Sequence, residues 1–251
     1  MAVKRYYAKI DNTITNAFEE NLTTRGTGSN MGASDILEVF SIFAQANSSS
    51  AEESRALLKF NTTASTDSIT ADRTAGVIPA SGSVSFYLRM FNAKHGQTLP
   101  KNFTMDVSAI SGSWEEGTGL DMEAYKDKDE SNWINRVASS SAGTHAWSTQ
   151  GGDYYTDTSS SFSASFDSGV EDIEVDITTL VEQWANSAGN VLGSKNDEGV
   201  GVFLSSVYSG ESRSYYTKKF FARGTEFFFK KPCIEARWDS AIKDDRGTFF
   251  F

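Results

Sequence analysis

The sequence predicts an all-β fold, a jelly-roll-like antiparallel β-sandwich carrying one short helix. Three observations predict it. Short apolar runs with a period of two recur along the chain, clusters of Ser, Thr, Gly and Asn separate them, and aromatic residues are abundant while the 251 residues include only 3 prolines.

The elements follow in chain order. Residues 1–10, "MAVKRYYAKI", read as an N-terminal arm. In "TITNAF", Ile14 and Phe18 share a face, and "DILEVFSIF" (35–43) is nearly continuous, as expected of a strand covered on both sides. "RALLKF" sets Ala56, Leu58 and Phe60 against Leu57 and Lys59. "SVSFYLRMF" sets Val84, Phe86, Leu88 and Met90 against Ser85, Tyr87 and Arg89. "NFTMDVSAI" does the same with Phe103, Met105 and Val107. A polar insertion (121–168) interrupts the series; within it "YKDKDESNW" reads as a solvated loop and "TDTSSSFSASFDSG" as a hairpin. "DIEVDI", "GVGVFLSSV" and "KPCIEARW" complete the strands.

One segment departs from the period of two. In "DITTLVEQWANSAGN", Leu180, Val181 and Trp184 fall at helical spacing, Asp176 or Thr178 offers an N-cap, and Gly189 and Asn190 offer a stop. This predicts about two helical turns, with Trp184 packed against an open end of the strands. A β-sandwich over 11–239 and a C-terminal tail (240–251) complete the organisation, with no linker long enough to divide it.

Charge and cysteine content exclude several functions. A formal charge of −10 argues against nucleic acid as a partner, because phosphates demand a basic stripe. No stretch of about 18 apolar residues is present to span a membrane. The basic start lacks the apolar run of a signal peptide, so the expectation is synthesis in a cytoplasm. Cys233 is the only cysteine and alternates with Glu235 and Arg237; a plain strand thiol is expected there rather than a nucleophile.

"SGSWEEGTG" (111–119) has the look of a catalytic lip, with an indole, two carboxylates and three glycines. Glu115 and Glu116 are adjacent, however, and on extended backbone adjacent side chains point to opposite faces, so they do not flank one bond together. Asp121 nearby does not complete a pair, and the stretch reads as a structural loop with Trp114 plugging the sandwich edge. His95 and His145 are the only histidines, and no G-x-S-x-G accompanies them. "GTGSNMG" (26–32) lacks the Lys-Ser/Thr of a phosphate loop and reads as a turn. No catalytic residue, metal ligand or obligatory cofactor is predicted. Calcium is the one ion with candidate oxygen donors, in "DKDES" (127–131) and "KNDEG" (195–199), and neither fits an EF-hand loop.

The order of the motifs carries a resemblance. "TRGTGSNMGASDILEV", "SRALLKFN", "SVSFYLRMF", "SGSWEEGTG", "SNWINR", "AWSTQGGDYY", "VDITTLVEQW", "NVLGSKNDEGVGVFLSS" and "KKPCIEARW" resemble, in this sequence, the DNRLRE-type domain, a carbohydrate-binding-module-like β-sandwich of carbohydrate-binding and cell-surface proteins. The opening "MAVKRYYAKIDNTITNAF" and the ending "DDRGTFFF" are similar to structural proteins of marine tailed phages. The resemblance implies a non-enzymatic structural subunit of a bacteriophage virion, on tail, neck or head surface, whose partners are copies of itself and other virion proteins. Tyr6, Tyr7, Phe249, Phe250 and Phe251 are then the candidate interface residues, since three consecutive phenylalanines need a cover or a continuing chain. The alternative is a polysaccharide-binding module for host or cell-surface glycans, with Trp147, Asp153, Tyr154 and Tyr155 as its platform. Those rings equally suit a sheet face covered by the insertion.

Overall fold

The computed structural model of the chain describes residues 1–94, 100–128, 130–139, 143–185, 192–209 and 215–241. The alternating runs form strands that pair antiparallel in every ladder. One sheet has the order β1 (Ala2–Tyr7), β13 (Cys233–Trp238), β5 (Val84–Met90), β10 (Ile173–Asp176). The larger sheet is curled and runs β12 (Tyr215–Phe221), β3 (Ile36–Phe43), β4 (Ala51–Lys59), β11 (Val200–Leu204), β6 (Phe103–Ala109), β9 (Ser161–Phe166), with β2 (Ile10–Thr15) also paired to β4. A separate ribbon of β7 (Asn135–Ser139) and β8 (Gly143–Ala146) lies in the insertion. The protein is thus an all-β sandwich, as its periodicity predicts.

The core fills the space between the two sheets. Phe86, Leu88 and Met90 of β5 and Ile234 and Ala236 of β13 meet Leu58 of β4, Met105 and Val107 of β6 and Val202 of β11, all buried. Phe103 and Phe166 stack across the β6–β9 pair with centroids 4.8 Å apart. The helix α2 (Thr178–Ala185) contributes Leu180, Val181 and Trp184 to this core. Of the two expected capping groups, Asp176 serves the helix start, while Thr178 ties the helix to β5. Asp176 accepts from the Thr178 N–H at 2.9 Å, while the Thr178 hydroxyl accepts from the Phe86 N–H at 2.8 Å. Gly189 and Asn190 lie outside the described residues.

Three features go beyond the sequence expectations. Residues 1–10 are not a free arm: β1 forms the edge of the four-stranded sheet against β13, and Tyr6 is 6 % exposed within the core. "AVKRYY" hides its role because only Tyr6 points fully inward, and an edge strand needs one apolar face only. A second helix, α1 (Ile69–Thr74), is capped by Ser68, whose Oγ accepts from the Ala71 N–H at 3.0 Å. It anchors through buried Ile69, and Arg73 reaches both Glu182 oxygens of α2 at 2.7 and 3.0 Å.

The third feature is the outer layer. The described residues of 110–155 fold back over the outer face of the larger sheet, where Ile14 and Leu57 meet Ile110, Trp114, Trp133 and Trp147 in a second buried cluster. Trp114 therefore does not plug the sandwich edge; together with Trp133 and Trp147 of the polar insertion it seals a sheet face, the three indoles supplying the apolar area. Leu57 alternates with Ala56 and Leu58, so β4 is covered on both sides.

One junction shapes the curl. β3 follows β4 only as far as Ser41↔Glu53, and beyond that point side chains replace the ladder. The Ser54 hydroxyl accepts from the Phe40 N–H at 2.9 Å and donates to the Glu38 carbonyl at 2.8 Å, and the Thr13 Oγ1 accepts from the Glu38 N–H at 3.2 Å. The β3–β12 wing is thereby held away from β4 with its backbone satisfied.

Candidate functional site

The lip that looked catalytic is a locked joint. Asn30, from "GTGSNMG", is fully buried beneath "EEGTG". Its Nδ2 donates to the Glu116 and Ser131 carbonyls, both at 2.8 Å, and its Oδ1 accepts from the N–H groups of Gly32 and Gly119 at 3.0 and 3.1 Å. A Cβ on Gly119 would sit 1.9 Å from the Asn30 carbonyl oxygen, and one on Gly117 (φ +80°) would sit 2.3 Å from Asn30 Oδ1. Glycine is required at both positions by this close approach. The two glycine-rich stretches of the sequence are thus the two halves of one packing contact.

Glu116 turns from that joint toward Arg223, whose Nη2 lies 2.7 Å from each carboxylate oxygen. The same carboxylate accepts the Asp11 N–H at 2.8 Å, and Asp11 in turn accepts the Arg223 N–H at 2.5 Å. Burial, with Glu116 beside it, pushes the Asp11 carboxyl up to about 7 despite the Arg223 contacts. Glu115 is bound through its backbone, donating to the Arg136 carbonyl at 3.2 Å. Asp121 accepts the Glu123 and Ala124 N–H groups in a separate loop. Arg223 carries no local signal for this role, since it lies 107 residues away from Glu116 in an "RGT" turn.

The candidate glycan platform is divided between layers. Trp147 is 4 % exposed and donates from Nε1 to the Asn132 carbonyl at 2.9 Å. Asp153 accepts the Ser148 and Thr149 N–H groups, both at 2.8 Å, and so closes the 148–153 loop. Tyr154 packs against the outer cluster and Phe203, with centroids 5.0 Å apart, while Tyr155 packs against the main core. Tyr154 and Tyr155 still border a shallow groove of about 570 Å³ together with Arg55, Asp106, Phe162 and Phe203.

The candidate calcium donors have other partners. Asp197 accepts the Thr62 hydroxyl, Glu198 pairs with Lys59 Nζ at 2.6 Å, and Lys195 pairs with Asp157 at 3.1 Å. Asp127 accepts the Leu120 and Asp121 N–H groups, and Asp129 lies outside the described residues. Among the described residues no three acidic, histidine or cysteine side chains converge as metal ligands would. His145 is exposed on β8, and His95 lies outside the described residues. Burial pushes the Cys233 thiol up to about 11, the wrong direction for a nucleophile at neutral pH.

Of the candidate interface residues, Tyr6 is internal and donates to Asp72 at 2.7 Å. Tyr7 meets the ring of Phe228 at 4.8 Å. Phe249, Phe250 and Phe251 lie outside the described residues. The structure instead exposes a different aromatic run, Phe227, Phe228 and Phe229, at 53, 54 and 72 %. A 3-10 turn (Phe228–Lys230) presents it, closed by the Lys230 N–H on the Phe227 carbonyl at 2.8 Å. Its signal was in the sequence, where "RGTEFFF" is echoed by the terminal "RGTFFF". No protein-family model matches this chain, and no curated protein matches it.

Proposed function

We propose that the chain is a non-enzymatic structural subunit of a bacteriophage virion, working through contacts with copies of itself and with other virion proteins. The observation that supports this reading is the exposed run Phe227–Phe229. Phe227 is braced on Phe221 at 5.5 Å and Phe228 on Tyr7 at 4.8 Å, so the apolar surface is already ordered before any partner arrives. Preformed apolar surface loses little further entropy on docking, and monomers rarely keep it bare. The phage assignment rests on the sequence resemblance of the opening and closing segments.

Light scattering over a concentration series tests the proposal. The wild-type chain should self-associate or be retained by particle proteins, and Phe228→Ser/Phe229→Ser should abolish this at an unchanged melting temperature. A wild-type chain that stays monomeric and unretained overturns it. The alternative, a polysaccharide-binding module, draws support from the groove beside Tyr154, Tyr155 and Phe203, where rings alternate with Arg55 and Asp106. Saturable binding on a glycan array, lost on Phe203→Ala, would favour that alternative.

A further inference from the structure

Lys218 of β12 is a fully buried amine that the lip, the groove and the aromatic run leave unexplained. Backbone pairing brings it to the junction of the two sheets. Asn92, just past the end of β5, forms a bridge with Phe220 of β12. The Ala93 N–H donates to the Lys219 carbonyl at 2.9 Å, and the Phe221 N–H donates to the Phe91 carbonyl at 3.0 Å. Lys218 Nζ then donates to Asn92 Oδ1 at 2.7 Å, and to the Gly169 and Glu171 carbonyls at 2.9 and 2.8 Å. An amine and a carboxamide are thus held against each other by the strands that carry them.

The surroundings suit a nucleophile. A buried ammonium ordinarily needs a carboxylate to offset its desolvation. All three hydrogen-bond partners of Lys218 are neutral oxygens, and among the described residues no carboxylate forms an ion pair with it. Losing a proton therefore breaks no ion pair. Phe166 and Phe220 close around the amine, their ring centroids 5.0 and 5.2 Å from Nζ. Burial brings it down to about 8, against the opposing pull of Glu171 and Asp172, the two charged groups acting on it. A neutral, reactive fraction exists near that pH.

Glu171 is the second observation. Its Oε1 accepts the Asp167 and Ser168 N–H groups and the Ser168 hydroxyl at 3.1, 2.6 and 2.7 Å. Its Oε2 is buried with no hydrogen-bond partner, a costly state for a carboxylate oxygen. In spite of burial, the Ser168 hydroxyl and the N–H groups hold the carboxyl below its ordinary value, so it is ionised and able to take a proton.

We propose that Lys218 and Asn92 condense unaided into an isopeptide bond, which clamps β12 of the larger sheet to the end of β5 in the smaller one. The neutral Nζ adds to Asn92 Cγ, and the Cγ–Nδ2 bond breaks. The proton given up by Nζ passes to the departing nitrogen, relayed through a water on Glu171 Oε2, and ammonia leaves. One C–N bond replaces another, so nothing is oxidised or reduced and no co-reactant is consumed. Attack on the Gly169 or Glu171 carbonyl would cut the chain, whereas the carboxamide gives up only ammonia. Until the bond forms, Lys218 remains a free amine. The bond does not depend on the assembly reading above, and it is tested on the intact chain.

Intact-mass spectrometry after incubation at about pH 8 should show the chain lighter than its sequence mass by one ammonia. A tryptic map should place the loss in a branched peptide that contains both Asn92 and Lys218. Lys218→Arg, which keeps the charge, should retain the full mass. Glu171→Gln should slow bond formation by about tenfold or more. Its pH of half-maximal rate should also fall below the wild-type value, because the carboxylate that favours the ammonium is gone. A merely structural role for Glu171 would slow the reaction without moving that pH. A wild-type chain that keeps its full mass after prolonged incubation overturns the proposal. So does an ammonia loss that maps to other residues, or one that persists in a folded Lys218→Arg chain. Should that variant fail to fold, the wild-type peptide map decides alone. An unshifted pH profile in Glu171→Gln overturns the relay.

Discussion

Arg223 grips Glu116 in a forked ion pair, its Nη2 2.7 Å from both carboxylate oxygens and its Nε 3.1 Å from Oε1. The pair ties the turn before the exposed aromatic run to the glycine-rich joint over Asn30. It thereby connects the start of the sandwich, the insertion and the C-terminal strand region at one point. Arg223→Met should destabilise the chain by about 1–3 kcal/mol, because Glu116 then keeps a partly buried charge beside Asp11. Adding Glu116→Gln in that background should recover part of the loss. Strict additivity of the two changes in urea unfolding would show that the pair is not coupled.

Asp11 makes this joint sensitive to pH. Its carboxyl is pushed up to about 7 in the folded chain, against about 3.9 when unfolded. The folded state therefore binds more protons between those values, so the stability contributed by this group is complete below about pH 4 and is lost as pH rises through 7. Asp11→Asn removes the titration while keeping an oxygen for the Arg223 N–H. The wild type should lose stability relative to this variant between about pH 4 and pH 7. A difference that stays flat across that window would refute the assignment.

Lys218, as a free amine, gives a pH dependence of the opposite sign. It is fully buried, and its ammonium donates to Asn92 Oδ1, the Gly169 carbonyl and the Glu171 carbonyl at 2.7, 2.9 and 2.8 Å. Burial lowers it to about 8. Between about 8 and the unfolded value near 10.4 the unfolded chain holds more protons, so stability from this group rises with pH across that interval. Lys218→Met should remove the rise and, by stranding two buried carbonyls, cost about 1–3 kcal/mol for each. Identical pH profiles above pH 8 for the two chains would count against this.

The strand alternation of "SVSFYLRMF" and "NFTMDVSAI" was legible without coordinates, and so was α2, because the period of two and the spacing of Leu180, Val181 and Trp184 are local properties. The structural reading of "SGSWEEGTG" followed from the opposed directions of Glu115 and Glu116. What joins that loop to the rest, Asn30 and Arg223, was not legible, because each partner lies 86 or more residues away and carries no local pattern. β1 was missed because an edge strand with one inward ring looks like a polar arm. A cavity of about 630 Å³ beside Glu38, Glu52 and Asp121 was hidden for a related reason: its walls come from β3, β4, β12 and loops that include 17–22 and 121–125, and only the tertiary fold gathers them.

Gly201 and Tyr154 provide the last prediction, and it concerns how the insertion seats on the sheet. Gly201 sits within β11, paired with Leu57 on one side and Ser108 on the other, where a glycine ordinarily weakens a strand. The reason for it is the ring of Tyr154: a Cβ on Gly201 would lie 2.3 Å from Cε1 and 2.8 Å from the hydroxyl oxygen. The ring lies directly on the strand and is fixed by its hydroxyl donating to the Gly151 carbonyl at 2.9 Å. Gly201→Ala should therefore displace Tyr154 and cost about 1–3 kcal/mol, as overpacking of a well-filled site does. Tyr154→Leu alone should also destabilise, by removing ring contacts and the hydrogen bond to Gly151. With Tyr154 already shortened, the alanine has room, so the double variant should be more stable than the sum of the two losses predicts. Urea unfolding of the four chains measures the coupling, and a value near zero would mean that the insertion does not seat on β11 through this ring.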